Sequence, residues 1–177
     1  MTSVPDFAAT ADLPAIAALV QSAYRGESAR RGWTHEADLI AGQRTDLAAI
    51  AAIHADPNQR LLVLRDAGAV IGSVVVEDRG HSTAYLGMLS VDPARQASGL
   101  GRTLIAAAEA LARDIFHATR IEMTVIARRT ELIAYYQRRG YRLTDEIRPF
   151  PYDDPTIGEP IARDLDFAVL EKRLVEG

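Results

Sequence analysis

The residues best suited to chemistry stand in a glycine-rich turn between a predicted strand and a predicted helix. The strand is predicted to end at Val91, and Gln96, Gly99 and Gly101 follow it. Backbone N–H groups at the start of a helix bind anions, the helix dipole favours negative charge there, and glycine lets the backbone approach closely. This turn therefore predicts an anion site, and a pyrophosphate is the group that suits it best.

Two well-known phosphate-binding patterns do not fit this turn. A nucleotide-binding P-loop requires a Lys directly after its last glycine, and no Lys follows Gly101. The dinucleotide-binding fingerprint requires a third glycine where Leu104 stands. Glycines between a strand and a helix often serve only the turn, so the spacing of Gly99 and Gly101 is a weak signal on its own.

Two stretches resemble the GNAT superfamily of N-acetyltransferases. The first is its acetyl-CoA-binding motif, Gln/Arg-x-x-Gly-x-Gly/Ala after a strand ending in Val-x-Pro, which residues 96–101 fill. The second is the run of residues 135–141, which resembles the family's Leu-Tyr-Glu-Lys-x-Gly-Phe pattern and puts Tyr136 on its tyrosine. The resemblance extends over residues 5–174.

The resemblance implies a site for acetyl-CoA as cosubstrate. The pantetheine arm is expected along the backbone of Leu89 and Val91, and the pyrophosphate on the N–H groups of the turn. The turn residues expected to bind it are Gln96, Ala97, Ser98, Gly99, Gly101 and Arg102, of which Arg102 adds positive charge. Two positions depart from the pattern. Ala97 replaces a frequent glycine, and Arg129 stands where many members carry an asparagine that contacts pantetheine.

The chemistry implied by the resemblance is transfer of an acetyl group from CoA directly to an amine. A lysine-like amine has a pKa near ~10.4, so it must lose a proton before it attacks, and the departing thiolate benefits from a proton donor. The resemblance gives Tyr136 the role of that general acid. Without the motif, the simpler interpretation of Tyr136 is an aromatic side chain packed in the core.

The residue that would take the proton of the amine is less well defined. Family members commonly place a Glu or His on the central strands, but residues 84–91 contain neither. Glu77, near the end of the preceding predicted strand, is the first candidate for the base, and His81 in the adjoining turn is the second. Glu77 could instead be a solvated residue at a strand end and His81 a surface turn residue, and a water chain to a more distant group is a further alternative.

Two loops are expected to select the acceptor. The first contains Glu27 and the only tryptophan, Trp33, and the second, a proline-rich loop, contains Tyr152 and Asp153. Aromatic walls with carboxylates suit a cationic amine, either a small molecule or a peptide. The alternatives are that Trp33 covers the core and that Asp153 lies in a solvated turn.

The order of strand and helix signals predicts an α/β (α+β) fold, with a mixed central sheet of about seven strands flanked by helices. Asp12 is predicted to cap a helix that ends near Tyr24, and residues 36–41 are predicted to form a short helix. The last predicted strand, residues 167–174, is expected at a sheet edge, where it could pair with a second copy in a homodimer.

Composition is typical of a single globular domain over residues 1–177, with 48% hydrophobic and 25% charged residues. The absence of cysteine excludes disulfides, thiolate metal sites and a cysteine nucleophile, and no metal is expected. The net charge of −4 argues against a nucleic-acid partner. Apolar runs are too short for a bilayer and no signal segment begins the chain, so the expected location is cytoplasmic, without a membrane partner.

Three functions are compatible with these signals. The first is an acetyl-CoA-dependent N-acetyltransferase, the second a non-catalytic acyl-CoA-binding sensor or interaction module on the same fold, and the third a scaffold without a CoA site. The presence of Tyr136 favours the first, whereas the undefined base favours the second. The two motifs together argue against the third.

Overall fold

The computed structural model describes residues 4–175, in which helices flank a central β-sheet. The elements of the first half are β1 (Asp6–Phe7), α1 (Leu13–Tyr24), α2 (Gly26–Ala29), β2 (Ile40–Ala41), α3 (Leu47–Ala55), β3 (Gln59–Asp66), β4 (Ala69–Asp78) and β5 (Thr83–Val91). Those of the second half are α4 (Leu100–Asp114), β6 (Arg120–Ile126), α5 (Thr130–Gln137), β7 (Arg142–Pro149), β8 (Glu159–Pro160) and β9 (Asp166–Arg173).

The main sheet has seven strands in the order β1-β3-β4-β5-β6-β9-β7. Its strands pair antiparallel except for β5 and β6, which run parallel because α4 crosses over between them. β2 and β8 form a separate two-stranded ribbon. The predicted α/β fold with a mixed sheet of about seven strands is thereby confirmed. No helix in residues 4–175 is long and apolar enough to cross a membrane.

β5 and β6 separate soon after they meet. Their pairing covers only residues 83–85 of β5, although β5 continues to Val91. β5 also carries a bulge against β4, where Met88 has a φ of +49°. A bulge bends the strand that contains it and increases its twist. In the described part of the chain, residues 86–91 of β5 therefore have no partner strand on the side of β6.

The sheet is packed on both faces. α4 buries a stripe that includes Leu104 and Ala108 against one face, as its helical spacing of apolar residues requires. α1 and α3 cover the other face with Ile16 and Ile50. Gly72 of β4 lets α4 approach closely, since a Cβ atom there would lie 2.9 Å from a methyl carbon of Leu104.

Two local predictions are wrong for reasons of tertiary contact. Asp12 stands at the start of α1, but its carboxylate accepts the Ala9 N–H at 2.7 Å and pairs with Arg65 instead of capping α1. Residues 36–41 form a turn that leads into β2 rather than a helix. The pairing of β2 with β8 overrides the local helical pattern there.

The expected edge position of residues 167–174 is also wrong. β9 lies between β6 and β7 and pairs antiparallel with both, so its backbone is occupied on either side. The outer strands of the sheet are β1 and β7. A homodimer through β9 therefore has no free edge to use, and dimerisation itself remains a prediction.

Leu104→Ala should lower the free energy of unfolding by about 2–5 kcal/mol, because Leu104 is fully buried and its removal leaves a cavity under α4. Chemical denaturation of both proteins measures the difference. Leu47→Ala is the control, since Leu47 is 49% exposed and its loss should cost about 0.5 kcal/mol or less. Equal losses in the two variants would contradict the packing described for α4.

Candidate active site

A cavity of about 460 Å³ lies between the end of β5, the first turn of α4 and one side of α5. All the residues that the sequence predicts to bind the cosubstrate line this first cavity. They are Leu89, Val91, Gln96, Ala97, Ser98, Gly99, Gly101 and Arg102. The structure therefore brings the whole predicted set together, at the open edge of β5.

The turn before α4 presents a row of unused backbone donors. Within residues 4–175, the N–H groups of residues 96–102 have no hydrogen-bond acceptor. Ala97 and Gly99 have left-handed φ angles of +67° and +85°, and Gly99 is the residue directly before α4. Backbones of this alternating kind turn successive N–H groups to one side and form anion-binding concavities. The geometry suits a phosphate group bound at the N-terminus of α4, where the helix dipole is positive.

Positive side chains line the same cavity. Arg102 forms no ion pair with any residue that the structure describes, and Arg139 stacks its guanidinium 3.4 Å from the centre of the Tyr135 ring. Arg95 also lines the cavity, but it pairs with Asp66 at 2.6 Å. Two guanidinium groups are thus available for an anion beside the backbone donors.

Gln96 holds the loop after α2 over the cavity. Its side-chain oxygen accepts the Trp33 N–H at 3.0 Å, and its amide nitrogen donates to the Val91 carbonyl at 3.4 Å. Gly32 makes this contact sterically possible, since a Cβ atom there would lie 2.2 Å from the same oxygen. The Trp33 ring packs 5.1 Å from that of Tyr135. Trp33, predicted to bind the acceptor, thus forms a wall of the first cavity.

A second cavity of about 200 Å³ lies between β5 and β6, where the two strands separate. Its walls include Tyr85 and Thr124, whose hydroxyl groups are hydrogen-bonded to each other at 2.7 Å. Five residues line both cavities, namely Tyr24, Leu89, Arg129, Leu132 and Tyr136. The two cavities therefore meet at this set of side chains.

Tyr136 is buried where the cavities meet. Its hydroxyl makes no hydrogen bond to any residue in the described part of the chain, whereas that of Tyr24 donates to the Leu89 carbonyl at 2.9 Å. Burial raises the pKa of Tyr136, and the nearby Arg129 lowers it by less. The phenol is therefore protonated at neutral pH, as a general acid must be.

Beside the second cavity, Glu36 is held by two buried arginines. Arg25 binds one carboxylate oxygen at 3.1 Å, and Arg129 binds the other at 3.3 Å. Arg129 also donates to the Thr34 hydroxyl at 2.7 Å, so this cluster fixes the loop that carries Trp33. Among the residues described, no group of three or more His, Asp or Glu side chains could hold a metal ion.

The structure does not bring the candidate bases to either cavity. Glu77 lies opposite Tyr85 on the neighbouring strand and forms an ion pair with Arg79 at 3.3 Å. His81 is an exposed turn residue with a φ of +50°. Neither residue lines either cavity.

Three of the predicted acceptor-binding residues also lie outside both cavities. The Glu27 side chain is 92% exposed and pairs with Arg30. Tyr152 packs its ring against Phe150, and its hydroxyl accepts the N–H of Leu165 at 2.7 Å. Asp153 is exposed.

Sequence reasoning missed several residues that line the cavities. Tyr135 and Tyr24 both line the first cavity, although the sequence motifs give neither of them a role. The spacing of four residues from Tyr135 to Arg139 is a usable signal, because residues at that spacing lie on one side of a helical turn, and the turn after α5 keeps the two side chains in contact. Glu36 and Arg44 line the second cavity from irregular segments, for which no local pattern exists.

Residues 17–141 match the model of the acetyltransferase (GNAT) family, which is more than half of the chain. The chain belongs to this family. No match was found among curated proteins.

Solved structures agree with this GNAT protein in fold. The ribosomal-protein-alanine N-acetyltransferase from Brucella melitensis is 21% identical with a TM-score of 0.72, over 97% of this chain and 99% of that one. The protein yncA from Salmonella typhimurium, solved with acetyl-CoA, is 22% identical with a TM-score of 0.72, over 100% and 96%. A chimera of spermidine N-acetyltransferase SpeG from Vibrio cholerae and hSSAT is 17% identical with a TM-score of 0.69, over 98% and 96%.

Glu36→Ala should lower the free energy of unfolding of this GNAT protein by about 3–5 kcal/mol, because it leaves Arg25 buried without a counter-charge and leaves Arg129 only the more distant Glu131 at 4.0 Å. Chemical denaturation measures the loss. Asp38→Ala breaks an exposed ion pair with Arg30 close by and should cost less than about 1 kcal/mol. A loss at Glu36 as small as that at Asp38 would show that the buried cluster does not hold the loop.

Proposed function

We propose that this chain transfers the acetyl group of acetyl-CoA directly to an amine, with Tyr136 as the general acid. The observation that carries the proposal is the position of Tyr136, buried where a cavity with an anion-binding turn meets a second cavity. The first cavity then holds acetyl-CoA and the second holds the amine, and the reacting atoms of the two substrates meet beside the phenol of Tyr136.

The first cavity has the features that acetyl-CoA requires. Unused N–H groups of residues 96–102 would bind the pyrophosphate, with Arg102 and Arg139 adding charge. The unpaired edge of β5 at residues 86–91 offers backbone groups to the amides of pantetheine, in the manner of an added strand. The complex of yncA with acetyl-CoA supports this choice of ligand.

Transfer needs no nucleophile from the protein. The amine nitrogen attacks the thioester carbonyl carbon, and a C–N bond forms as the C–S bond breaks. Tyr136 gives its proton to the leaving sulfur, and the proton released from the amine passes to water and restores the phenol. Holding both substrates in line contributes further to the rate, because attack becomes effectively intramolecular.

Water is the proposed acceptor of the amine's proton because no unpaired carboxylate lines either cavity within residues 4–175. Glu36 is engaged by two arginines, and Glu77 pairs with Arg79 away from the cavities. An amine is supported as the acceptor class by the relatives, which are named for alanine of a ribosomal protein and for spermidine.

Acetyl-CoA and CoA should each raise the melting temperature, whereas ATP should not, because only the first two carry a pantetheine arm for the edge of β5. At ~100 times its Kd a ligand adds about 2.7 kcal/mol, or roughly 5–10 °C for a chain of this size. Thermal denaturation with each ligand in excess measures the shifts. No shift with either CoA ligand would refute the proposed cosubstrate site.

Tyr136→Phe should lower kcat by roughly 10²-fold while the Kd for acetyl-CoA stays the same, because only the proton donor is lost. Release of CoA thiol and titration calorimetry measure the two quantities. Tyr141→Phe is the matched control, since its hydroxyl is buried without a hydrogen bond and lines neither cavity. An unchanged kcat in Tyr136→Phe would remove the phenol from the mechanism. Binding of acetyl-CoA without thiol release from any amine would favour a non-catalytic acyl-CoA-binding module.

A further inference from the structure

We propose that the acceptor is a small amino acid whose carboxylate is bound by Arg44 in the second cavity. This inference rests on the acetyl transfer proposed above and names the substrate class for the same site. It comes from the balance of charge around the second cavity, which is opposite to what a polyamine requires.

Positive charge exceeds negative charge at this cavity. Among residues 4–175, Glu36 is the only acidic residue that lines it, and Arg25 and Arg129 bind its two oxygens at 3.1 and 3.3 Å. Arg44 lines the cavity as a further cation. Arg44 and Arg129 therefore line the cavity with one carboxylate between their two positive charges, and that carboxylate is already bound by Arg129 and Arg25.

Arg44 has donors to spare. Its guanidinium forms no ion pair or hydrogen bond with any side chain in residues 4–175, and it lies 5.1 Å from the centre of the Tyr24 ring. Its backbone is fixed, because its N–H donates to the Gln21 side-chain oxygen at 2.7 Å. Burial lowers the pKa of Arg25, and the charge of Arg44 acts in the same direction, which agrees with its proximity to the cluster.

This arrangement discriminates between amines by charge. A second ammonium group, as in a polyamine, would meet guanidinium groups and no available carboxylate. A carboxylate beside the amine would instead give Arg44 a charged, fork-shaped partner that it lacks in the protein. The same positive charge favours the neutral form of the amine over the ammonium, which is the form that attacks the thioester.

The test compares each common L-amino acid with its own carboxamide as acceptor, at saturating acetyl-CoA, by release of CoA thiol. The carboxamide keeps the shape and the α-amine but removes the negative charge. Its amine is also less basic, so more of it is neutral at pH 7, and this bias works against the expected result. Spermidine and a short peptide are included as other classes of amine.

For at least one amino acid, kcat/KM should exceed that of its carboxamide by about tenfold or more, as expected for a charged hydrogen bond. Arg44→Met should reduce this ratio to near one without a change in the Kd for acetyl-CoA, and Arg44→Lys should retain part of it. Arg31→Met is the control, because Arg31 is exposed on the neighbouring loop, lines neither cavity and should leave the ratio unchanged.

Three results would overturn the inference. They are carboxamides that react as well as the acids, a ratio that survives Arg44→Met, and turnover of spermidine or the peptide alone. In each case the proposed acetyl transfer still stands. Binding of acetyl-CoA with no thiol release from any amine would instead refute the proposed function, and this inference would fall with it.

Discussion

The separation of β5 from β6 is the constraint on which the rest of the site depends. Two parallel strands that stay paired would leave no room between them and no free backbone on β5. Because pairing stops at Tyr85, β5 has an unpaired edge over residues 86–91 and cavities form at the gap. α4 then starts close to the end of β5, so its N–H groups and the free strand edge face one cavity.

A buried cluster of charged side chains holds the loop that forms one wall of the first cavity. Glu36 joins Arg25, at the end of α1, to Arg129, directly before α5. The loop between Arg25 and Glu36 carries Trp33. Its backbone N–H donates a hydrogen bond to the side chain of Gln96, which lies in the turn before α4. Burying these charges is tolerable only because both carboxylate oxygens are used. The cluster therefore fixes residues 30–36, an irregular segment between α2 and β2.

The parts of the structure that local patterns encode were predictable from the sequence. Strand and helix periodicity gave the mixed sheet, and the spacing within residues 96–101 located the turn that lines the first cavity. Glu36 and Arg44 were not predictable, because they reach the second cavity from irregular segments placed by tertiary contacts such as the pairing of β2 with β8. Arg129 stands out in the sequence only as a departure from the family pattern, since Glu36, which it binds, is 93 residues away.

Burial of Tyr136 bears on the proposed proton transfer, because it raises the pKa of the phenol above its ordinary ~10. A thiol in water has a pKa near ~8.5, so such a phenol would be a weak proton donor to a thiolate in water. The same surroundings act on both groups, however. Exclusion of water penalises a thiolate beside the phenol just as it penalises the phenolate, so the thiol's pKa rises as well. Arg129 lines both cavities, and its positive charge opposes the rise in the pKa of Tyr136. In the proposed transfer, the difference between the two pKa values governs the movement of the proton, and burial that both groups share raises both values rather than that of the phenol alone.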